Sequence, residues 1–255
     1  MREFIEVKES TGKGLGVFAV TDIPCGARVL AEEPLLKADE GSGSAKDILS
    51  AFKKLSVSQQ HMYLQLRRFA GAAFKRSAEK EIGRAWQAMS LAERDILAIW
   101  AANAFGHVYL LGSRFNHSCI PNINFAYNPT LNKETFHAVR DIGAGEELTI
   151  TYIDGVNRTR GQRQAELDEG GFVCDCPACE NTKDGQRKEE SRAKMFDLDQ
   201  SLATQLRLRT PAAWSQALKV AQRLAAMQKS EGLLIRPLGI TFVFHPFFLS
   251  SLIQS

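Results

Sequence analysis

No charge-free apolar run in this sequence reaches the ~20 residues that a membrane-spanning helix needs, so no membrane span is expected. The first residues, Met1-Arg2-Glu3-Phe4-Ile5-Glu6, carry acids where a secretory leader would be apolar, and no signal peptide is expected either. Long basic runs are also missing. Arg67-Arg68 and Lys75-Arg76 are isolated pairs and the net charge is only +3, which argues against direct nucleic-acid binding. Cysteine is scarce, five in 255 residues, and residues 39–106 hold none, only His61. In a reducing compartment, nucleus or cytoplasm, those five thiols point to metal ligation or burial and not to disulfides. The chain is long enough for one good core with a small satellite, and a monomer is expected.

What is present alternates in character along the chain. Phe4-Ile5-Glu6-Val7, Val17-Phe18-Ala19-Val20 and Arg28-Val29-Leu30-Ala31 are short β-prone runs separated by Gly12-Lys13-Gly14-Leu15-Gly16 and Pro24-Cys25-Gly26, a pattern of small antiparallel sheets. After Gly41-Ser42-Gly43-Ser44 the period becomes helical. Ser56-Val57-Ser58-Gln59 and Ser90-Leu91-Ala92-Glu93 fit the capping box, so residues 46–106 read as an all-helical insert. The β pattern then returns. Asn122–Tyr127 pairs with Glu134–Val139 across a turn-rich loop, and Glu147–Tyr152 forms a further strand. A short helix is expected over 159–168, another from the charged residues 180–194, and a third from Thr210-Pro211 to about Gln228. The aromatic, charge-free segment Ile240–Phe248 reads as a core piece or an atypical tail.

The strongest local signal is Cys174-Asp175-Cys176-Pro177-Ala178-Cys179, three thiols in six residues. A closed structural zinc site takes four ligands in a tetrahedron, so a fourth must come from elsewhere. Cys25 and Cys119 are the other cysteines. Cys119 is the better choice because it lies in the polar, turn-rich run Asn116-His117-Ser118-Cys119-Ile120-Pro121-Asn122. A zinc ion there would pin the two loops together and build a wall between them. Each remaining motif is weak alone. Lys13-Gly14-Leu15-Gly16 could be a tight turn, Asn116-His117-Ser118 a polar turn, and Gly145–Tyr152 an amphipathic strand ending on a core aromatic.

The order of all four in one chain resembles a SET domain over roughly residues 3–180, and within that family the SET-and-MYND lysine methyltransferases and their fungal-type relatives. The resemblance implies an α+β fold with a mainly β, knot-like core of small antiparallel sheets over 1–155. It further implies a zinc-bound post-SET segment over 156–182 and a short helical C-terminal region over 183–255. It implies that the chain takes S-adenosylmethionine and methylates lysine on a protein substrate, a histone tail or another protein. Lys13, Gly14 and Leu15 would approach the methionine end of that cofactor, Asn103, Asn116 and His117 would hold it, and Phe172 would stack on the adenine. Tyr152 would line the lysine channel as the catalytic residue, and Cys119, Cys174, Cys176 and Cys179 would bind Zn2+.

Two departures from the family pattern stand out. There is no MYND finger, because the insert has no cysteine. Gly170 occupies the place of a second channel aromatic, a role that Phe115 or Tyr127 could fill. With Gly170 and a shortened C-terminal wall, the competing reading is a non-catalytic module that keeps the zinc and the cofactor pocket. A zinc-only nucleic-acid module is the weakest alternative, since no aromatic-basic surface is legible.

Overall fold

The computed structural model describes residues 4–38, 43–153 and 157–233. Gly12 and Gly14, both at positive φ (74° and 78°), turn the chain between β1 (Ile5–Ser10) and β2 (Gly14–Ala19), which pair antiparallel from Ser10↔Gly14 to Ile5↔Ala19. β2 continues antiparallel onto β7 (Glu147–Ile150), and β7 pairs with the two-residue β4 (Asn116–His117). That last pairing is parallel, added to the small antiparallel sheets that the sequence led one to expect. It places the Asn-His pair directly alongside the end of β7.

A second sheet has the order β3 (Arg28–Glu32), β6 (Lys133–Ala138), β5 (Ile123–Asn128). The β5–β6 hairpin has the expected register, with Tyr127 opposite Glu134. Between and beneath the sheets lie Val17, Val29, Phe115, Phe136 and Leu148, all without solvent contact. The Phe115 and Phe136 rings stack at 4.9 Å.

The helical run between β3 and β4 comprises α1 (Ala45–Lys53), α2 (Val57–Leu64), α3 (Ala72–Ile82) and α4 (Leu91–Asn103). Both expected capping boxes form, at Ser56/Gln59 and at Ser90/Glu93, each satisfying free N–H groups at the helix start. These helices bury Ile48, Tyr63, Leu97 and Ile99 in a core of their own, with the Tyr63 hydroxyl donating to Ile96 O at 2.9 Å.

Further on come α5 (Arg160–Asp168), α6 (Lys183–Leu208) and α7 (Pro211–Ser230), the last opened by the Thr210 cap and first-turn Pro211. β7 stops at Ile150, so Thr151 and Tyr152 leave the expected strand. Among the described residues no helix is long and apolar enough to cross a membrane. The Gly41-Ser42 break and the segment 238–255 lie outside the described residues.

Candidate active site and metal centre

A cavity of about 1490 Å3 opens where the β1–β2 turn, the end of α4, the Asn116 strand, the end of β7 and the segment after α5 meet. Lys13, Gly14, Leu15, Asn103, Asn116, Tyr152, Gly170 and Phe172 all line it. These residues are up to 159 positions apart in sequence, and the parallel β4–β7 pair with the turn at β2 is what gathers them.

Tyr152 lines this cavity, and its hydroxyl donates to Phe115 O at 2.6 Å. Burial pushes the phenol up to about 12, so it stays protonated at neutral pH. The ring packs edge-on to Phe172, centroids 5.9 Å apart. The Asn116 side-chain amide donates to Leu15 O at 3.2 Å and to Glu147 Oε1 at 2.7 Å, tying the β2 turn to β7. Asn103 is buried, and its amide donates to Arg67 O at 2.8 Å and to Ile99 O at 2.6 Å. Lys13 pairs with Asp175 at 3.0 Å and so joins the β1–β2 turn to the cysteine segment.

His117 is placed differently from the rest. It is buried behind the cavity wall, packed on Tyr152 (5.4 Å) and Phe172 (5.9 Å). Its Nδ1 accepts the Tyr152 N–H at 3.0 Å, and its Nε2 lies 3.3 Å from Cys119 Sγ. Both ring nitrogens are engaged, so the imidazole itself packs behind the wall. Desolvation lowers its pKa to about 4, which keeps the ring neutral.

Cys119, Cys174, Cys176 and Cys179 are buried, and their four sulfurs lie within 4.8 Å of one another. Cys25 is exposed and apart from them. A tetrahedron with Zn–S bonds of about 2.3 Å has S···S edges of about 3.8 Å. Cys119 Sγ stands 3.8 Å from Cys174 Sγ and 3.7 Å from Cys179 Sγ. The donor set therefore fits a four-thiolate zinc centre. Four thiolates around Zn2+ leave a net charge of −2, and two fully buried guanidinium groups stand beside them. Arg163 Nη2 is 3.5 Å from Cys179 Sγ and donates to Ala178 O at 3.1 Å, and Arg192 Nη2 donates to Cys119 O at 3.2 Å. Helices α5 and α6 thus carry the counter-charge to the cysteine loop.

Three features escaped the sequence reading. At Gly16 a Cβ would run into Glu147 Oε1 and stand 3.0 Å from Asn116 Nδ2, so the third glycine of the turn is a close-approach position. The Glu147 carboxylate is the partner that holds Asn116. Arg67, in the loop after α2, lines the cavity. The first was half-signalled by the Gly-x-Gly repeat. The other two depend on contacts across 31 and 103 residues, for which a single sequence carries no signal.

The sequence profile described as "SET domain" matches residues 14–153, more than half of the chain. The chain is 34% identical over 184 residues to Histone-lysine N-methyltransferase set5 of Schizosaccharomyces pombe, covering 69% of this chain and 50% of that protein. It is 30% identical over 161 residues to Histone-lysine N-methyltransferase ATXR4 of Arabidopsis thaliana, covering 60% and 48%. With Histone-lysine N-methyltransferase SMYD3 of Homo sapiens it shares 34% over 114 residues, 44% of this chain and 26% of that protein. The chain thus spans half or less of the length of these relatives.

Proposed function

This chain belongs to the SET-domain family, and on that premise we propose that it is an S-adenosylmethionine-dependent protein-lysine N-methyltransferase acting on a histone or another protein. The observation that carries the reading is the position of Tyr152. It lines the cavity shared with Asn116, Lys13 and Phe172, and its hydroxyl is anchored on Phe115 O.

Lys13, Gly14, Leu15 and Asn116 would hold the cofactor's amino-acid end, with Phe172 against the adenine. Asn103 would meet it through its amide oxygen, since its N–H groups are engaged by Arg67 and Ile99. His117 would act by fixing the wall. When bound, S-adenosylmethionine supplies a sulfonium methyl that a neutral amine can accept. A lysine has a reference pKa of about 10.4 and must lose its proton first. Desolvation between Tyr152, Phe115 and Phe105 lowers that pKa without a strong base. A phenol held protonated suits orientation of the amine, not proton abstraction: its O–H is directed to Phe115 O and its lone pairs remain to accept an amine N–H. Positioning near attack distance would supply much of the rate. We assign Cys119, Cys174, Cys176 and Cys179 to a structural Zn2+ that holds the Phe172 segment over the cavity.

The test is transfer of labelled methyl from S-adenosylmethionine to core histones and to a demethylated whole-cell extract, wild type beside Tyr152→Phe. Wild type labels a protein band, and Tyr152→Phe loses about 100-fold of the rate, the scale of a misplaced reacting group. Equal labelling by both would remove Tyr152 from the mechanism. Tight cofactor binding with no label from folded, zinc-loaded protein would select the non-catalytic module instead.

A further inference from the structure

The geometry points to Arg67 as a specificity-determining wall of the acceptor channel, standing beside Gly170 and over the Phe172 ring that a side chain at position 170 would also meet. This rests on the methyltransferase reading above. Arg67 Nη2 donates to Gly170 O at 3.4 Å, and its guanidinium carbon lies 5.8 Å from the Phe172 ring centroid. Both are cavity-lining residues, as is Tyr152. Burial pushes the Tyr152 phenol up and the Arg67 charge draws it part of the way back, so the two side chains face one electrostatic environment. A Cβ on Gly170 would stand 3.2 Å from Phe172 Cε1 and 3.2 Å from Leu167 O. Any side chain there would begin at the ring that Arg67 already covers.

Arg67 is held in place by its backbone surroundings. Its carbonyl accepts from Asn103 Nδ2 at 2.8 Å, and two residues on, the Phe69 N–H donates to Ala98 O at 3.1 Å, so α4 fixes the strip from both positions. The strips 67–71 and 169–172 then interlock. A Cβ at Gly171, whose φ is +69°, would fall inside the Phe69 ring, and a Cβ at Gly71 would fall on Glu169. Each strip has a glycine where the other supplies bulk. The Gly170-Gly171 pair is therefore the receiving side of a packed contact, and the channel wall missing from the segment before Cys174 comes from the loop after α2.

A guanidinium wall differs from an aromatic one. It is long and mobile at its tip, it carries a charge that disfavours an ammonium beside it, and it sits on Phe172 by cation–π attraction. It therefore sets both how much room the accepting nitrogen has and how many methyls fit. Truncation gives room of at least a methyl group, a difference worth roughly tenfold in discrimination.

The experiment measures methylation state by mass spectrometry on the same histone and extract acceptors, with cofactor affinity by calorimetry and melting temperature for every variant. Arg67→Ala raises the ratio of di- plus trimethylated to monomethylated product by about tenfold, with cofactor affinity retained. Arg67→Gln, which keeps most of the length, shifts the ratio less and serves if the alanine variant is unstable. Gly170→Tyr lowers melting temperature and activity in the Arg67 background, and does so less when combined with Arg67→Ala, because the two side chains compete for one space. An unchanged product ratio in an Arg67→Ala variant that binds cofactor overturns the proposal, as does strict additivity of the two substitutions. Absence of transfer by wild type overturns the methyltransferase reading, and the channel role with it. Transfer by wild type with an indifferent Arg67 overturns the channel role alone.

Discussion

The Nε2 of His117 lies 3.3 Å from the sulfur of Cys119, while the opposite nitrogen of the same ring accepts the backbone N–H of Tyr152. One buried imidazole thus joins the cysteine cluster to the tyrosine of the cavity. Because Nδ1 accepts, the proton must sit on Nε2 and point at the sulfur, and a thiolate there is the better acceptor. The neutral Nε2–H tautomer is expected at pH 7 in long-range nitrogen–proton spectra of the zinc-loaded protein. A doubly protonated ring would contradict it. His117→Ala should weaken zinc retention on the order of tenfold in chelator competition, as for other partners of metal ligands.

The four-cysteine cluster should hold one zinc ion per chain by elemental analysis. Cys119→Ser should lose most of it and lower the melting temperature, whereas Cys25→Ser, at an exposed site, should retain the metal. The buried Arg163 guanidinium beside Cys179 gives a sharper test. Arg163→Met keeps volume but removes counter-charge, so zinc should leave faster under chelation than in wild type. Equal release rates would mean that Arg163 serves packing alone.

Gly16→Ala should damage both stability and cofactor affinity. Its Cβ would overlap Glu147 Oε1, the atom that anchors Asn116, so the Glu147 carboxylate must swing aside and give up its bond to the Asn116 amide. Loss of that hydrogen bond costs about 1 kcal/mol, readable in denaturant melts, with a parallel loss in calorimetric cofactor binding. A variant that melts and binds like wild type would show that the Asn116–Glu147 bond is not needed.

Glu134 offers a pH test away from the metal. It is buried on β6, and desolvation raises its pKa, although the Tyr109 hydroxyl at 3.0 Å opposes that. A carboxyl whose folded pKa lies above its unfolded value favours folding in its protonated form. Its ionisation therefore erodes stability as pH rises from the unfolded value through the folded one. Replacing it with glutamine removes that slope. The stability of Glu134→Gln relative to wild type should rise between about pH 4.5 and neutrality, measured by denaturant midpoints across pH. A difference constant with pH would mean that Glu134 titrates as if exposed.

Much of the architecture was legible because it depends on neighbours in sequence. The capping boxes at Ser56 and Ser90 need only residues three apart, and the Thr210-Pro211 helix start is equally local. The β5–β6 hairpin follows from alternation on either side of a turn. The choice of Cys119 as the fourth sulfur came from its polar loop and agrees with the geometry. The end of β7 was missed by two residues, because Thr151 and Tyr152 are β-prone yet leave the strand where His117 captures the Tyr152 N–H.

The sequence by itself determined the residue chemistry: which thiols, which tyrosine, which glycine turn, and in what order. The thiols stand out by their spacing, while the tyrosine and the glycine turn stand out only through the order of motifs that resembles a SET domain. Only the tertiary structure decided that His117 stands behind the wall, that Glu147 secures Asn116, that two buried arginines attend the cysteines, and that Arg67 donates to the Gly170 carbonyl. Those relationships span tens of residues and arise from excluded volume and from pairing of buried polar groups. They exist only once the β4–β7 pair and the 67–71 strip have been packed against the rest of the chain.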